Sequence, residues 1–329
     1  MKSSSLLDPQ GGEAAEAEER PALSYEQTVP RGLVHRWSLS EVFLTGSRGL
    51  DERRFEAAAQ LPLSHAYFRD HVGRGEHHDV LLVLEACRQS VTCAAHLHQG
   101  VPAATTFMVT AWSLEITDPE ALACGTRPGE LAIAGDVTGR HERGGRLRRL
   151  EFAMDLALDG RPLGRLTMDV RSTPTDQYHD LRYMQRGGEV PTAFGLPAEP
   201  AGEPVAPAAV GRLDPVNAVL DDVRTADGAV TAALSPRSFR NRSMYDHPYD
   251  HVPAMVFSEA ARQCGLLLAD GAAGPARVVR LDGSFDRFAE LDRPVRLSAA
   301  AAPEHGAGSW LMRAEQDGQT VASVSLTLA

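Results

Sequence analysis

Five apolar residues at every second position, Leu150, Phe152, Met154, Leu156 and Leu158, alternate with Glu151, Ala153, Asp155 and Ala157. A period of two sorts the two sets onto opposite faces of an extended chain, so this stretch predicts a half-buried strand. Asp159-Gly160 supplies a hairpin turn, and residues 163–170 return beside it. The end of the chain repeats the arrangement, with residues 310–315, a turn at Asp317-Gly318, and residues 321–328. Residues 78–89 and 252–263 read differently. Both are apolar runs broken by Glu-x-x-Arg-Gln: Glu85, Arg88 and Gln89 in the first, Glu259, Arg262 and Gln263 in the second. Positions i, i+3 and i+4 share one face of a helix. Each run therefore predicts a buried helix carrying a carboxylate, a guanidinium and an amide together.

The repetition extends further. Val34-His35-Arg36 followed by Glu41-Val42-Phe43-Leu44 matches Val210-Gly211-Arg212 followed by Asn217-Ala218-Val219-Leu220. The openings are 176 residues apart and the helix motifs 174 apart. A near-constant offset over that distance marks a duplication. Each unit is a short leading strand, a loop, one long apolar helix, then an antiparallel meander through residues 107–116 and 130–137 in the first copy. A helix apolar all round needs a sheet that wraps it. The fold expected is α+β, a tandem hot dog, with the two units packed through their sheets about a pseudo-twofold axis. Residues 1–27 read as a disordered acidic tail, 28–186 as the first unit, and 210–329 as the second. Residues 187–209, rich in Pro, Ala and Gly, read as an extended linker. The segment 173–186, with Tyr178, Tyr183 and Met184, is expected to pack on the first unit.

With 43% hydrophobic residues over 329 positions, two cores can be filled. No run approaches transmembrane length, and the N-terminus lacks the apolar core of a signal peptide. The cysteines, Cys87, Cys93, Cys124 and Cys264, have no C-x-x-C spacing, which suits a reduced cytoplasm without a zinc site or disulfides. A formal net charge of −11 argues against general nucleic-acid binding. Lys2 is the one lysine among 33 basic residues. Schiff-base and P-loop lysine chemistry is thereby excluded from the folded part. Neither a metal nor a cofactor is expected, and no membrane partner.

An isolated buried charge is costly, so the helix motifs are either paired structural devices or sites. Desolvation would make Glu85 or Glu259 a stronger base, and the neighbouring arginine opposes this. His65 and His247 lie in the loops before the helices, where they either line a site or stabilise the loop. His77, His78 and His251 are weaker candidates in the same loops. Asp79 suits the cap of the first helix and Pro253 the first turn of the second. Such helix starts offer free N–H groups to an oxyanion. Two arginine-dense stretches, 140–149 and 237–242, are solvated turns or anion sites. Arg240 and Arg242 in the second precede His247 and Glu259 and are the candidates for a substrate phosphate. The first stretch is suited to docking an acidic carrier protein.

Taken together, Val-His-Arg with Glu-Val-Phe-Leu-Thr, Ser-His-Ala-Tyr-Phe, the first Glu-x-x-Arg-Gln helix, and Tyr-Asp-His-Val-Pro-x-Met-x-x-x-Glu-Ala-Ala-Arg-Gln resemble the A-factor synthase family. These are the γ-butyrolactone autoregulator biosynthesis proteins of streptomycetes and their relatives. The resemblance spans about residues 28–328, with Ala254 where the family usually has glycine. It implies a tandem hot dog and an acyltransferase. A β-ketoacyl group would pass from acyl carrier protein to the hydroxyl of dihydroxyacetone phosphate, giving an ester that cyclises to a butenolide. By that resemblance Glu85, Glu259 and Arg262 are catalytic, with Glu85 or Glu259 as the base, and Arg88, Gln89, Gln263, His65 and His247 support them. The alternatives are a hot-dog dehydratase or thioesterase, or a non-catalytic acyl-binding regulatory protein. The dehydratase pattern fits less well, because the His-to-Glu intervals differ from it in both copies. Which half-site works, and whether the tandem pairs into a homodimer, is open at this point.

Overall fold

Alternation and turn chemistry build the same set of elements twice. In the computed structural model, which describes residues 23–72, 76–269 and 277–329, the first unit runs through β1 (Leu44–Gly49), β2 (Arg54–Leu61), α1 (Val80–His98), β3 (Thr105–Ile116), β4 (Gly129–Arg143), β5 (Arg146–Leu158) and β6 (Arg161–Pro174). A connecting helix, α2 (Thr175–Arg186), follows. The second unit then runs through β7 (Leu220–Ala226), β8 (Ala229–Leu234), α3 (Ala254–Leu268), β9 (Val278–Phe285), β10 (Arg296–Ala301), β11 (Ser309–Gln316) and β12 (Gln319–Leu328).

The strands form one antiparallel sheet in the order β1-β2-β4-β5-β6-β3-β9-β12-β11-β10-β8-β7. Counted inward from either edge, the order of strands within each unit is the same, so the duplication is visible in topology. The units meet edge to edge. β3 pairs with β9 from Ala111 opposite Ser284 to Glu115 opposite Arg280, and Trp112 packs edge-on against Phe285 across the seam, 4.9 Å between ring centres. This is the expected tandem hot dog, joined by backbone pairing at one strand of each unit.

The expected hairpins form where Asp-Gly supplies two left-handed residues. Asp159 and Gly160 have φ of 50° and 77°, and Asp317 and Gly318 have 52° and 75°. Gly164 is required for another reason. A Cβ there would lie 2.0 Å from the Glu115 carbonyl oxygen on β3. The inward residues of β5, Leu150, Phe152, Met154, Leu156 and Leu158, are all buried.

The sheet wraps both long helices. Helix α1 is buried from Val80 to Ala95 apart from Arg88, and α3 from Met255 to Gly265. At 19 residues and mean hydropathy 1.2, α1 is long and apolar enough to cross a membrane. The expectation that no run reaches such a length is therefore corrected. Burial inside the sheet accounts for its composition.

The segment 173–186 does not pack on the first unit alone. Helix α2 leaves β6 after Pro174, ends at Gly187 in a left-handed cap (φ 73°), and carries Tyr178 and Arg182 onto Asp250 and Glu290 of the second unit. The chain after it lies along that unit. The Ala193 N–H donates to the Tyr249 carbonyl at 2.9 Å, and the Asp222 N–H to the Glu203 carbonyl at 2.8 Å. The acidic tail lies outside the described residues up to residue 22. By Val29 the chain is hydrogen-bonded to Leu44 of β1.

Candidate active site

The three polar residues of the α1 motif meet the opening segment of their own unit. Glu85, 1% exposed, accepts from Arg36 Nε at 3.1 Å, Arg88 Nη2 at 2.8 Å and Gln89 Nε2 at 2.7 Å on Oε1, and from Arg88 Nε at 2.8 Å on Oε2. Gln89 also tethers the chain entering β1. Its Oε1 accepts from the Phe43 N–H, and its Nε2 donates to the Glu41 carbonyl. Burial alone would raise the Glu85 carboxyl, but Arg36 and Arg88 outweigh it and hold the group at about 2.

The second unit repeats this arrangement. Glu259, fully buried, accepts from Arg212 Nε at 2.9 Å and Nη2 at 2.8 Å, from Arg262, and from Gln263. Gln263 accepts from the Val219 N–H and donates to the Asn217 carbonyl, in register with Gln89. Burial pushes Glu259 up, and Arg212 and Arg262 again hold it at about 2. The loops before the helices are exchanged between units. Asp246 of the second accepts from Arg36 and the Trp37 N–H of the first. Asp70 of the first accepts from the Leu213 and Asp214 N–H groups of the second. Each half-site therefore combines one unit's helix with the other unit's loop.

Two positions break the symmetry. Tyr67 donates its hydroxyl to Glu259 Oε2 at 2.9 Å. Ser243, at the matching offset of 176, bonds Glu41 instead. Asp79 caps α1 through the Leu81 N–H at 2.9 Å and also binds Arg262 at 3.1 Å. The residue at the matching offset of 174 is Pro253, and α3 has no side-chain cap. In the second half-site these two side chains engage Glu259 and Arg262 of the motif. The first opens onto a cavity of about 980 Å³. Glu85, Arg88, Tyr249, His251 and the start of α3 at Pro253, Ala254 and Met255 line it, with apolar walls at Phe107, Trp112, Phe257 and Phe285. Glu259 and Arg262 are not part of that lining. The side chain of Arg88 is 18% exposed, against 9% for Arg262.

The other sequence candidates separate clearly. His65 is a loop anchor: its Nδ1 accepts from the Tyr67 and Phe68 N–H groups, both at 3.2 Å. Asn241 does the same for Ser243 and Met244 in the second unit. His247 pairs with Asp246 at 2.6 Å and stacks on Tyr249, but does not line the cavity. Arg240 and Arg242 do not reach the cavity either. Arg240 pairs with exposed Glu199, and Arg242 lies over the Phe194 ring at 4.0 Å. From the first arginine-dense stretch, Arg148 lines the cavity, while Arg149 is paired with Asp169. His251, ranked low in the sequence, is the loop histidine that faces the cavity. The available signal was its place directly after an aspartate in Asp246-His247-Pro-Tyr-Asp250-His251. Among the described residues, no three His, Cys, Asp or Glu side chains come together as a metal site.

Comparison with known proteins places this geometry in context. The family model for the A-factor biosynthesis hotdog domain matches residues 17–174 and 197–329. A 2-oxo-3-(phosphooxy)propyl 3-oxoalkanoate synthase of Streptomyces virginiae is 32% identical over 305 residues, covering 90% of this chain and 96% of the relative. The protein of the same name in Streptomyces griseus subsp. griseus is 29% identical over 327 residues, covering 98% and 96%. Among solved structures, the 12:0-ACP thioesterase from Umbellularia californica aligns over 86% of this chain and 99% of that one, with TM-score 0.48 and 12% identity.

Proposed function

The chain belongs to the A-factor biosynthesis hot-dog domain family, and from that premise we propose that it is an acyltransferase of the 2-oxo-3-(phosphooxy)propyl 3-oxoalkanoate synthase type. It joins a β-ketoacyl group, delivered as a thioester on acyl carrier protein, to the hydroxyl of dihydroxyacetone phosphate. The observation that carries the assignment to particular residues is the asymmetry of the half-sites. One Glu-x-x-Arg-Gln motif faces a cavity of about 980 Å³, and the other is engaged by Tyr67 and Asp79. The working half-site is Glu85, Arg88 and Gln89 of the first unit together with the start of α3.

The roles follow from the chemistry of the groups. The aromatic walls take the acyl chain. The uncapped N-terminus of α3, at Ala254 and Met255, offers N–H groups to the thioester carbonyl as it becomes an oxyanion. Seven arginines line the cavity against four carboxylates, on a protein whose net charge is −11. Such a wall selects an anionic acceptor. Arg148 and Arg171 line it with no ion-pair partner among the described residues, and they hold the phosphate. Glu85 is not the base. A carboxylate held at about 2 and saturated by arginine donors is a weak proton acceptor at neutral pH. Its two-pronged bond to Arg88 instead fixes that guanidinium beside the cavity. The same saturation disfavours the dehydratase alternative, which needs a carboxyl able to donate a proton.

The test incubates the protein with a β-ketoacyl carrier protein, with and without dihydroxyacetone phosphate, and reads products by mass spectrometry. The phosphorylated ester is expected only with the acceptor. Release of free β-keto acid at the same rate in both mixtures, with no ester, would make the protein a thioesterase.

A further inference from the structure

We propose that His251 is the general base of this transfer, oriented by Asp250 and by two residues of the connecting helix α2. The inference rests on the acyltransferase reading above and names the catalytic group that reading lacks.

His251 lines the cavity two residues before the N-cap of α3. Its Nδ1 lies 2.6 Å from Asp250 Oδ1. Asp250 also accepts from the Tyr178 hydroxyl at 2.7 Å and from Arg182 Nε at 3.0 Å. Arg182 is 1% exposed and is fixed from its other end by Glu290 at 2.8 Å. An aspartate receiving this many donors is ionised and can only accept. Burial would raise its carboxyl, but the bond from His251, with Tyr178 and Arg182 in support, holds it well below the usual range. The proton shared with His251 therefore resides on Nδ1, and the lone pair is on Nε2. A carboxylate that fixes the tautomer and orientation of an imidazole is the arrangement that makes it a base. Phe288 packs against the ring, 4.8 Å between centres, and limits its rotation.

The neighbouring candidates do not offer this. His247 forms a similar pair with Asp246, but it stacks on Tyr249 and is not part of the cavity lining. At the position matching His251, the first unit has His77, preceded by exposed Glu76. Helix α2 occurs only between the units. Among the described residues, a cavity-lining His–Asp pair braced by α2 is thus present once, at the open half-site.

In the transfer, the acceptor O–H proton passes to His251 Nε2 as the acceptor oxygen attacks the thioester carbonyl carbon. The tetrahedral oxyanion collapses, the C–S bond breaks, and the carrier thiolate takes the proton back from Nε2. The products are the ester and the free carrier thiol, with no other reactant needed.

The test compares wild type with His251→Gln and Asp250→Asn, reading ester by mass spectrometry and carrier thiol by a thiol-trapping reagent, with and without dihydroxyacetone phosphate. Circular dichroism checks folding. His251→Gln is expected to lower thiol release and ester formation about 10²–10⁴-fold. Asp250→Asn is expected to lower kcat at least about tenfold with KM unchanged, since the amide no longer fixes the tautomer. His251→Gln turning over at the wild-type rate would overturn the proposal. If His251→Gln does not fold, Asp250→Asn decides: an unchanged kcat overturns it. Wild type that releases thiol but forms no ester would refute the acceptor reading while thiol release still tests His251. Wild type that releases no thiol overturns both.

Discussion

Glu259→Gln and Glu85→Gln make the same chemical change in the two copies of the motif, and they should fail in different ways. In Glu259→Gln, one carboxylate oxygen becomes an NH₂ group that faces Arg212 and Gln263 at the Oε1 position, or Arg212, Arg262 and the Tyr67 hydroxyl at the Oε2 position, so donors meet donors. Arg212 is fully buried and loses its charge partner, keeping neutral contacts such as the Tyr67 and Asp70 carbonyls and the Tyr67 ring. Removing one partner of a buried ion pair costs about 3–5 kcal/mol. At about 2 °C per kcal/mol for a chain of this size, the melting temperature should fall by about 6–10 °C. Well below that temperature the open half-site is untouched, so the rate of ester formation should be near wild type. In Glu85→Gln, Arg36 keeps Asp246 and Arg88 borders the cavity, so the stability cost should be smaller, about 1–3 kcal/mol. Arg88 loses its two-pronged anchor, and misplacement of about 1 Å can cost about 10²-fold in rate. Thermal unfolding by circular dichroism, paired with ester formation at 20 °C or so, separates the two effects. Glu259→Gln with an unchanged melting temperature and no product would place chemistry in the second half-site. Glu85→Gln at the wild-type rate would remove the first motif from the mechanism.

Stability should decline as pH falls, in two overlapping windows. His35 is held at about 4 by burial, with His96 and Arg88 adding to it, and His78 at about 4 by burial and Arg69. The unfolded chain binds these protons first, so stability is lost as pH falls from the ordinary 6.5 towards 4. Glu85 and Glu259 sit at about 2, and their contribution is present above the ordinary 4.5 and lost as pH falls towards 2. Melting temperatures that stay flat from neutral pH down to about 4 would contradict the burial of these histidines. Alanine at Arg148 or Arg171 should raise KM for the phosphorylated acceptor about tenfold with little change in kcat, whereas Arg240→Ala and Arg242→Ala should leave it unchanged. Equal effects at all four would return the phosphate to the surface cluster. Gly164→Ala should cost at least about 3 kcal/mol in chemical denaturation, because the new Cβ meets a β3 carbonyl at 2.0 Å that cannot yield without breaking the β3–β6 pairing.

What the sequence made legible was local or periodic. Alternation in β5, the Asp-Gly turns and the two all-apolar helices are written in consecutive residues, and the 174–176-residue offset revealed the duplication. The clustering of Glu85 with Arg88 and Gln89 follows from helical spacing alone. What remained hidden depends on contacts between residues distant in the chain. Tyr67 reaches Glu259 across 192 positions, Asp79 reaches Arg262 across 183, and Arg182 reaches Asp250 across 68. No periodicity encodes such meetings. Even so, the residues responsible for the asymmetry were visible. Aligning the two copies sets Tyr67 against Ser243 and Asp79 against Pro253. In a duplicated fold the positions that match reveal the scaffold, and the mismatches deserve a separate reading. A carboxylate at the start of one helix both caps that helix and neutralises the arginine opposite. A proline there can do neither, so the N–H groups of α3 and the guanidinium of Arg88 remain available to a substrate.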